Sequence, residues 1–406
     1  MQSIEYTDQY QVHGCQQFGD KVELEFQAFR LQQFEISGSI IGSRNFRVQY
    51  EAVSLNSISS VPFVLTRLSK FKPIERYLPR CIVTSWRDLV NHNLNQLLAN
   101  SVGAILVLIP SDLDALTPND RMLFADLERK LGLARTELAV YVSYSSPEAN
   151  AMLTDIQSSS AVRISAIQRI INSVAANITS TGSPSTNMLT YKPNNIIGRL
   201  SSGRRSVPTI AFVAHYDSHA PFPGVAVGAD SNGSGIVVLL ELVAIFRKFY
   251  ERVPTRPPFN LVWIVFAWTA AGKHNYQGTR QFIEDLQTEN SEDNLELAIC
   301  VEALGGTGSL YMHASKQPVD GSAADRLLRR LRLLSPNRSV ELVTKKINVN
   351  QPSSWEHEKF NIKRLPAITL SGLSDHDNPI RKSLLDTVGH LSLDVLERNI
   401  RQGGKK

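Results

Sequence analysis

The chain has 406 residues, of which 42% are hydrophobic and 20% are charged, as is typical of a soluble globular protein with a full-sized core. This length favours two or three domains. The formal net charge of +5 is small and comes from scattered residues, which argues against a nucleic-acid-binding protein. Cys15, Cys81 and Cys300 lie far apart without a CxxC pair, which argues against a structural zinc site and a disulfide framework. Cys300 lies in an apolar run and is expected to be a buried core thiol.

The first half of the chain predicts a smaller mixed α/β region. Residues 22–26 are strand-like, and the apolar run at 101–110, stopped by a proline, predicts a buried strand. The stretch at about 177–195 is rich in Ser, Thr, Asn, Gly and Pro, which is typical of a loop or linker. We therefore predict an N-terminal region over residues 1–190 and a second domain over residues 196–406.

In the second domain, strand-like and helix-like segments alternate. Apolar runs at 207–214 and 261–268 predict buried strands, and an amphipathic helix at 235–250 lies between them. This alternation predicts an α/β fold with a largely parallel central sheet and flanking helices, whose ligands bind at the carboxyl ends of the strands. The remaining predicted elements are a helix near 280–287, a strand at 297–301, a strand at 310–313, a leucine- and arginine-rich helix at 326–334, a strand at 366–370 and a helix at 392–400.

One motif follows the first of these strands. His215 and Asp217 come directly after it, and the string GADSNGSG at 228–235 precedes the helix. A histidine at a strand end and an aspartate at a helix start can place an imidazole and a carboxylate on one metal ion. A single histidine is more often structural, but the full string is far more specific. It resembles the first metal-binding motif of the zinc aminopeptidase family, which also includes glutaminyl cyclase and nicastrin.

This resemblance implies particular roles for the motif residues. The histidine that matches His215 is a zinc ligand in the family, and the aspartate that matches Asp230 bridges two zinc ions. The residue that matches Asp217 contacts a zinc ligand rather than the zinc ion itself.

The next family requirement is missing from the sequence. Co-catalytic zinc hydrolysis needs a carboxylate general base and a further carboxylate ligand, which the family supplies as a Glu-Glu pair. Alignment on the Gly-Thr pair at 278–279 puts Gly272 and Lys273 in its place, and no Asp or Glu occurs over residues 261–280. Glycine cannot transfer a proton, and lysine brings positive charge toward a dication. We therefore predict a protein that is not an enzyme.

The other ligand positions are ambiguous. Glu302 falls where the family has an aspartate ligand, and either His376 or His390 matches the last histidine ligand, with His376 preferred. The segment at 355–360 resembles an acid-histidine-phenylalanine segment near the family's site. We expect no cofactor and no metal at these vestigial positions, which are His215, Asp230, Glu302 and His376.

The closer resemblance is to the nicalin family, a catalytically degenerate branch of this group. It rests on residues 215–217, 228–235, 272–279, 345–348, 355–358 and 364–367. It implies a non-catalytic scaffold of the endoplasmic-reticulum membrane, with this domain facing the lumen. The partners that it implies are nodal modulator, a small multi-pass membrane protein and the translocon. The alternative is an active zinc-dependent aminopeptidase; a third possibility, single-zinc cyclase chemistry, also needs an acidic base within 261–280.

Two further expectations follow from the lumenal assignment. The sequons at Asn177 and Asn337 predict N-glycosylation, whereas the sequon at Asn232 lies in the turn of the metal motif, where a glycan should not fit. The N-terminus has no secretory h-region, and no apolar run reaches the ~18–20 residues that span a bilayer. Since nicalin-type proteins have both segments, we expect the native product to continue into a transmembrane segment.

Overall fold

A computed structural model describes residues 10–11, 27–31, 33–34, 40–41, 48–54, 80–94, 97, 104–134, 138–161, 177–180, 194–200, 208–251, 260–265, 272–288, 295–306, 309–335 and 339–403. The chain divides into two compact units. The first contains Met1–Met188 and Ala220–Val225, and the second contains Leu189–His219 and Ala226–Lys406.

The first unit has a seven-stranded sheet in the order β1-β2-β8-β7-β6-β5-β9, and a separate hairpin, β3-β4. Strands β5 to β8 form a parallel centre, and the outer strands pair antiparallel to their neighbours. The strands are β1 Tyr10–Gln11, β2 Gln27–Arg30, β3 Gln33–Phe34, β4 Ile40–Ile41, β5 Val48–Ser54, β6 Arg80–Ser85, β7 Ala104–Ile109, β8 Ala139–Tyr144 and β9 Asn177–Ser180.

Among the described residues of the first unit, three helices follow strands, at α1 Trp86–Val90, α2 Pro118–Leu133 and α3 Pro147–Ala161. The hydroxyls of Ser85 and Thr117 cap α1 and α2 by accepting backbone N–H groups in the first turn. The predicted strand at 101–110 is confirmed as β7, and all of its residues are buried. The predicted strand at 22–26 lies outside the described residues.

The second unit has a seven-stranded sheet in the order β10-β12-β11-β13-β16-β14-β15. Its centre, β12-β11-β13-β16, is parallel, while β10 and β14 run antiparallel to β12 and β16. The predicted α/β fold with a largely parallel central sheet is thus confirmed. The strands are β10 Ile196–Leu200, β11 Thr209–Ala214, β12 Asn260–Val265, β13 Leu295–Glu302, β14 Leu310–Ala314, β15 Val340–Thr344 and β16 Ala367–Ser371.

In the described part of the second unit, five helices flank this sheet: α4 Gly235–Glu251, α5 Gln277–Thr288, α6 Ala323–Leu334, α7 His357–Ile362 and α8 Leu393–Gly403. In α6, Leu328 and Leu331 are buried in the core, while Arg326 and Arg329 are exposed, as the leucine–arginine spacing predicted. Cys300 of β13 is a buried free thiol, which confirms its expected place in the core.

Helix α4 is the most apolar helix of the second unit. Within the described residues, the stretch Ala229–Glu251 is long and apolar enough to cross a membrane, but half of its most apolar window is buried inside the protein. Val238, Leu239 and Leu242 belong to the core around the sheet. This burial is typical of a core helix, so the stretch carries no membrane assignment.

The expected linker at 177–195 differs from the structure at its beginning. Residues Asn177–Ser180 form β9, which pairs with β5 at the edge of the first sheet. The sequon at Asn177 therefore lies in an edge strand rather than in a loop. The strand contains two adjacent β-branched residues, Ile178 and Thr179, which favour strands over turns. Residues 181–193 lie outside the described part of the chain.

Candidate functional site

Two buried side chains meet at the carboxyl end of the second sheet. His215 follows β11 directly, and Glu302 is the last residue of the neighbouring β13. His215 is 1% exposed and Glu302 is 2% exposed. The His215 Nε2 atom lies 3.9 Å from Glu302 Oε1, and its Nδ1 atom lies 3.7 Å from Glu356 Oε2. Neither ring nitrogen makes a hydrogen bond, so the imidazole sits between two carboxylates.

Lys273 brings a positive charge to the same carboxylate. The lysine lies in the loop before α5, and its side chain is 4% exposed. Its ammonium lies 3.2 Å from Glu302 Oε1 and donates to Ser231 Oγ at 2.5 Å. The alignment that put Gly272 and Lys273 in place of the family's glutamate pair thus leads to a loop whose lysine lies beside Glu302.

Arg381 adds a second cation, and sequence reasoning missed it. It lies in the 3₁₀ turn Pro379–Lys382, and its Nε and Nη2 atoms donate to the two oxygens of Glu302 at 2.8 and 2.9 Å. The Nη2 atom also donates to the Tyr276 hydroxyl at 2.9 Å. The Nη1 atom donates to the backbone oxygens of Ser354 and His376 at 3.1 and 2.7 Å. A single arginine in an irregular loop has no periodicity or motif that could reveal these contacts.

Aromatic rings cover the guanidinium. The Arg381 Cζ atom lies 4.1 Å from the ring centroid of Trp355, within the range of cation–π attraction. Trp355 stacks in turn on His313, with ring centroids 4.2 Å apart. The cluster is therefore closed off from bulk water on this side.

The charges in the cluster control how Glu302 ionises. Burial alone would raise the pKa of the Glu302 carboxyl, but the charges of Arg381 and Lys273 outweigh it and hold the pKa well below its ordinary value. Burial, reinforced by the Glu302 charge, raises the pKa of Tyr276 well above its usual range. Glu302 is therefore an ionised partner of two cations, and Tyr276 is a neutral hydrogen-bonding group.

Asp217 supports the loop that carries Lys273. Its carboxylate accepts the backbone N–H groups of Gly272 and Lys273 at 2.8 and 2.7 Å. Gly272 in turn lies against His215, because a Cβ atom added at Gly272 would lie 2.3 Å from His215 Cβ. This position has no room for the side chain of a general base.

Asp230, expected as a bridging ligand, does not face the cluster. Its carboxylate accepts the backbone N–H of Gly305 at 2.7 Å. The adjacent Ser231 reaches the cluster instead, since its hydroxyl donates to Glu302 Oε1 at 2.8 Å. The backbone departs from helical geometry at Ser231, with φ −110° and ψ 83°, so the two adjacent side chains point in different directions. Spacing alone did not reveal this turn.

The histidines expected as the last ligand also lie elsewhere. The ring of His376 is partly exposed between Asp375 and Asp377, and its Nε2 atom lies 2.6 Å from Lys345 Nζ. His390 is exposed in the turn Val388–His390. Only the backbone oxygen of His376 reaches the cluster, through Arg381. Both residues sit in irregular loops, where sequence order does not fix the side-chain direction.

The described residues do not fit a zinc ion at this site. Zinc needs deprotonated ligands with free lone pairs. Both oxygens of Glu302 already accept from Arg381, and Oε1 also accepts from Ser231 and Lys273. A dication placed beside Glu302 would meet two fixed positive charges within hydrogen-bonding distance of the same carboxylate.

The sequons divide between described and undescribed residues. Asn232 is buried, and its Nδ2 atom donates to the backbone oxygens of His215 and Val301 at 2.7 and 3.0 Å, which leaves no room for a glycan. Asn177 begins β9. Asn337 lies outside the described residues.

Comparison with known proteins gives the family of this fold. Residues 195–401 match peptidase family M28. The chain is 48% identical over 416 residues to nicalin of Caenorhabditis elegans, covering 97% of this chain and 70% of the relative. It is 33% identical over 407 residues to BOS complex subunit ncln of Danio rerio, covering 93% of this chain and 68% of the relative.

A solved structure has the same fold. The gamma-secretase component nicastrin aligns with a TM-score of 0.59, over 98% of this chain and 74% of that chain. The sequence identity is 13%, so this likeness establishes the fold and nothing about activity.

Proposed function

The chain belongs to peptidase family M28 and, within it, to the nicalin family, and from this premise we propose that it is a non-catalytic scaffold subunit of the BOS complex. The relatives from Danio rerio and Homo sapiens are named as subunits of that complex. A family with a peptidase fold and a subunit role favours assembly over catalysis.

The observation that carries the non-catalytic proposal is the state of Glu302. In a co-catalytic zinc site, the carboxylate at a strand end holds the metal, and a second carboxylate takes a proton from the bound water. Here Glu302 holds Arg381 and Lys273 instead. The described part of the loop before α5, residues 272–276, has glycine and lysine at its first two positions and no acidic residue.

The direct test measures zinc and peptidase activity on the same purified protein. We expect no stoichiometric zinc by mass spectrometry. Turnover of aminoacyl test substrates should stay at background, since loss of a general base alone lowers a rate by about 10²–10⁴-fold. His215→Ala is the matched control and should leave this background unchanged. Stoichiometric zinc, together with turnover that His215→Ala abolishes, would falsify the proposal and favour an active aminopeptidase.

We also propose the cellular setting that the nicalin family implies. The protein serves at the endoplasmic-reticulum membrane with this domain in the lumen, beside nodal modulator, a small multi-pass membrane protein and the translocon. The naming of the relatives as complex subunits supports the existence of partners, and the individual partners are our proposal.

The test of these partners uses the full-length product in its native cells. A tagged protein purified from detergent-solubilised membranes should recover nodal modulator and translocon subunits, and an unrelated lumenal protein with the same tag should not. Recovery from the cytosol without these partners would contradict the assignment.

Glycosylation tests the lumenal orientation separately. Glycosidase treatment of the membrane-derived protein should reduce its mass. The double variant Asn177→Gln, Asn337→Gln should start at the reduced mass and show no further shift. An unchanged mass for the unaltered protein after treatment would remove the support for a lumenal domain.

A further inference from the structure

Every N–H donor of the Arg381 guanidinium group makes a hydrogen bond. An arginine side chain has five N–H donors in a fixed planar fork. Arg381 makes five bonds of 2.7–3.1 Å, to both oxygens of Glu302, the Tyr276 hydroxyl and the backbone oxygens of Ser354 and His376. The bonds therefore leave no donor of a buried cation unpaired.

These five acceptors come from separate parts of the second unit. Glu302 ends β13, and Tyr276 lies just before α5. Ser354 lies in the loop before α7, and His376 lies in the loop after β16. One cation thus joins four segments that are distant in sequence, which is what a structural metal ion does for its ligands.

Lys273 places a second cation at the same carboxylate. Its ammonium lies 3.2 Å from Glu302 Oε1 and donates to Ser231, which itself donates to that oxygen. Burial of an ion pair costs free energy unless geometry and additional hydrogen bonds offset the desolvation of both charges. The forked Arg381–Glu302 contact and the backbone acceptors of Arg381 supply these conditions.

We infer that Arg381, assisted by Lys273, is a built-in cation that replaces the metal of the peptidase fold and ties together the loops at the carboxyl end of the second sheet. The inference rests on the proposed absence of a catalytic metal and assigns what stands in its place. The fork of the guanidinium matters as well as its charge, because a lysine ammonium cannot donate in parallel to both oxygens of one carboxylate and to three further acceptors.

The first experiment compares Arg381→Met with a matched control, Arg329→Met, in the full chain. Arg329 is also paired with acidic residues but is exposed on α6. Removing one partner of a buried ion pair should lower the melting temperature of the second unit by about 10 °C, measured by calorimetry. The control should change it by less than about 2 °C. Equal melting temperatures for the two variants would overturn the inference.

A second measurement reads out the joined loops directly. Hydrogen exchange by mass spectrometry should become about tenfold faster or more in residues 272–279, 352–358 and 376–383 of Arg381→Met, together and under native conditions. Residues 104–134 of the first unit should exchange at an unchanged rate. Faster exchange confined to the turn at Arg381 would show a local contact only and would contradict the inference.

Two milder variants keep the test valid if Arg381→Met does not fold. Arg381→Lys keeps the charge and should still lower the melting temperature by at least half as much as expected for methionine. Lys273→Met keeps the fork and should lower it by a smaller but measurable amount, about 3–6 °C. An Arg381→Lys protein as stable as the unaltered chain would refute the role of the fork.

Melting experiments with a chelator and with added zinc distinguish a failure of the built-in cation from a failure of the proposed function. The unaltered protein should melt at the same temperature with EDTA or with excess zinc. Bound zinc that stabilises it would contradict both proposals. Absence of zinc, combined with no effect of Arg381→Met, would contradict the built-in cation alone.

Discussion

The two sheets of the molecule have similar architectures and different strand ends. Each has seven strands with a parallel centre. In the first unit, β6 ends at Ser85, which caps α1, and Ser146 after β8 accepts a backbone N–H at the start of α3. In the second unit, β11 leads into buried His215 and β13 ends at buried Glu302. Residues at the strand ends of the first sheet thus cap helices, whereas residues at the strand ends of the second sheet form buried ion pairs.

This difference shows where each unit is sensitive to change. The core beside the first sheet is a cluster of apolar side chains, including Val83, Leu106 and Leu108, and its stability depends on packing. The end of the second sheet depends on electrostatic pairing, in which loss of one charge leaves others buried and unpaired. Comparable polar substitutions at the two sheets should therefore have unequal costs.

The largest contrast is expected for Glu302→Gln against Thr84→Val. The first variant leaves Arg381 and Lys273 without their counter-charge, which should cost roughly 3–5 kcal/mol of unfolding free energy. The second removes a buried hydroxyl from β6 that donates only to the adjacent backbone oxygen, which should cost about 1 kcal/mol. Urea denaturation measures both. If both substitutions lowered the free energy of unfolding by a similar amount, the ion pairs of Glu302 would contribute no more than an ordinary buried hydrogen bond.

A smaller contrast is expected between two glycines. An alanine Cβ at Gly272 would lie 2.3 Å from His215 Cβ, whereas at Gly132, in α2 of the first unit, the nearest atom is Pro221 Cγ at 3.7 Å. Gly272→Ala should therefore cost about 1–3 kcal/mol through overpacking. Gly132→Ala should be neutral or stabilise by up to about 1 kcal/mol. Equal stabilities in denaturation would mean that the loop at Gly272 can move away from His215.

The last contrast concerns the pH dependence of stability. Burial, with the charge of His313 nearby, lowers the pKa of His357 from 6.5 to about 3. Between pH 6.5 and 3, His357 is therefore protonated in the unfolded chain and neutral in the folded chain. The free energy of unfolding thus falls as the pH drops from 6.5 toward 3. His357→Gln should reduce the slope of unfolding free energy against pH by up to about 1.4 kcal/mol per pH unit in this window.

A slope that is the same in the unaltered protein and in His357→Gln would show that His357 is protonated without cost in the folded state.

Sequence reasoning reached the residues whose position depends on the sheet. Alternating apolar runs predict β11 and β13, and parallel pairing then brings His215 and Glu302 to one edge. Lys273, in the loop before α5, followed from its distance to the Gly-Thr pair at 278–279. These inferences succeeded because strand ends in a parallel sheet have fixed neighbours.

The same reasoning failed where a loop decides the direction of a side chain. Asp230 and Ser231 are adjacent, and a local turn of the backbone points the serine into the cluster instead of the aspartate. Arg381 is 79 residues from Glu302 along the chain, and only the folded loop brings the two together. Such long-range contacts leave no trace in spacing or periodicity.

The close contact between Gly272 and His215 also constrains how the lineage can evolve. Under the proposed non-catalytic function, hydrolysis would need a carboxylate base in this loop, but any side chain at position 272 collides with the imidazole. It would also need Glu302 released from Arg381, and removing one partner of that buried ion pair lowers stability. A chain that carried only one of these changes should therefore be less stable than the present one, so the two changes together form an epistatic barrier to hydrolysis.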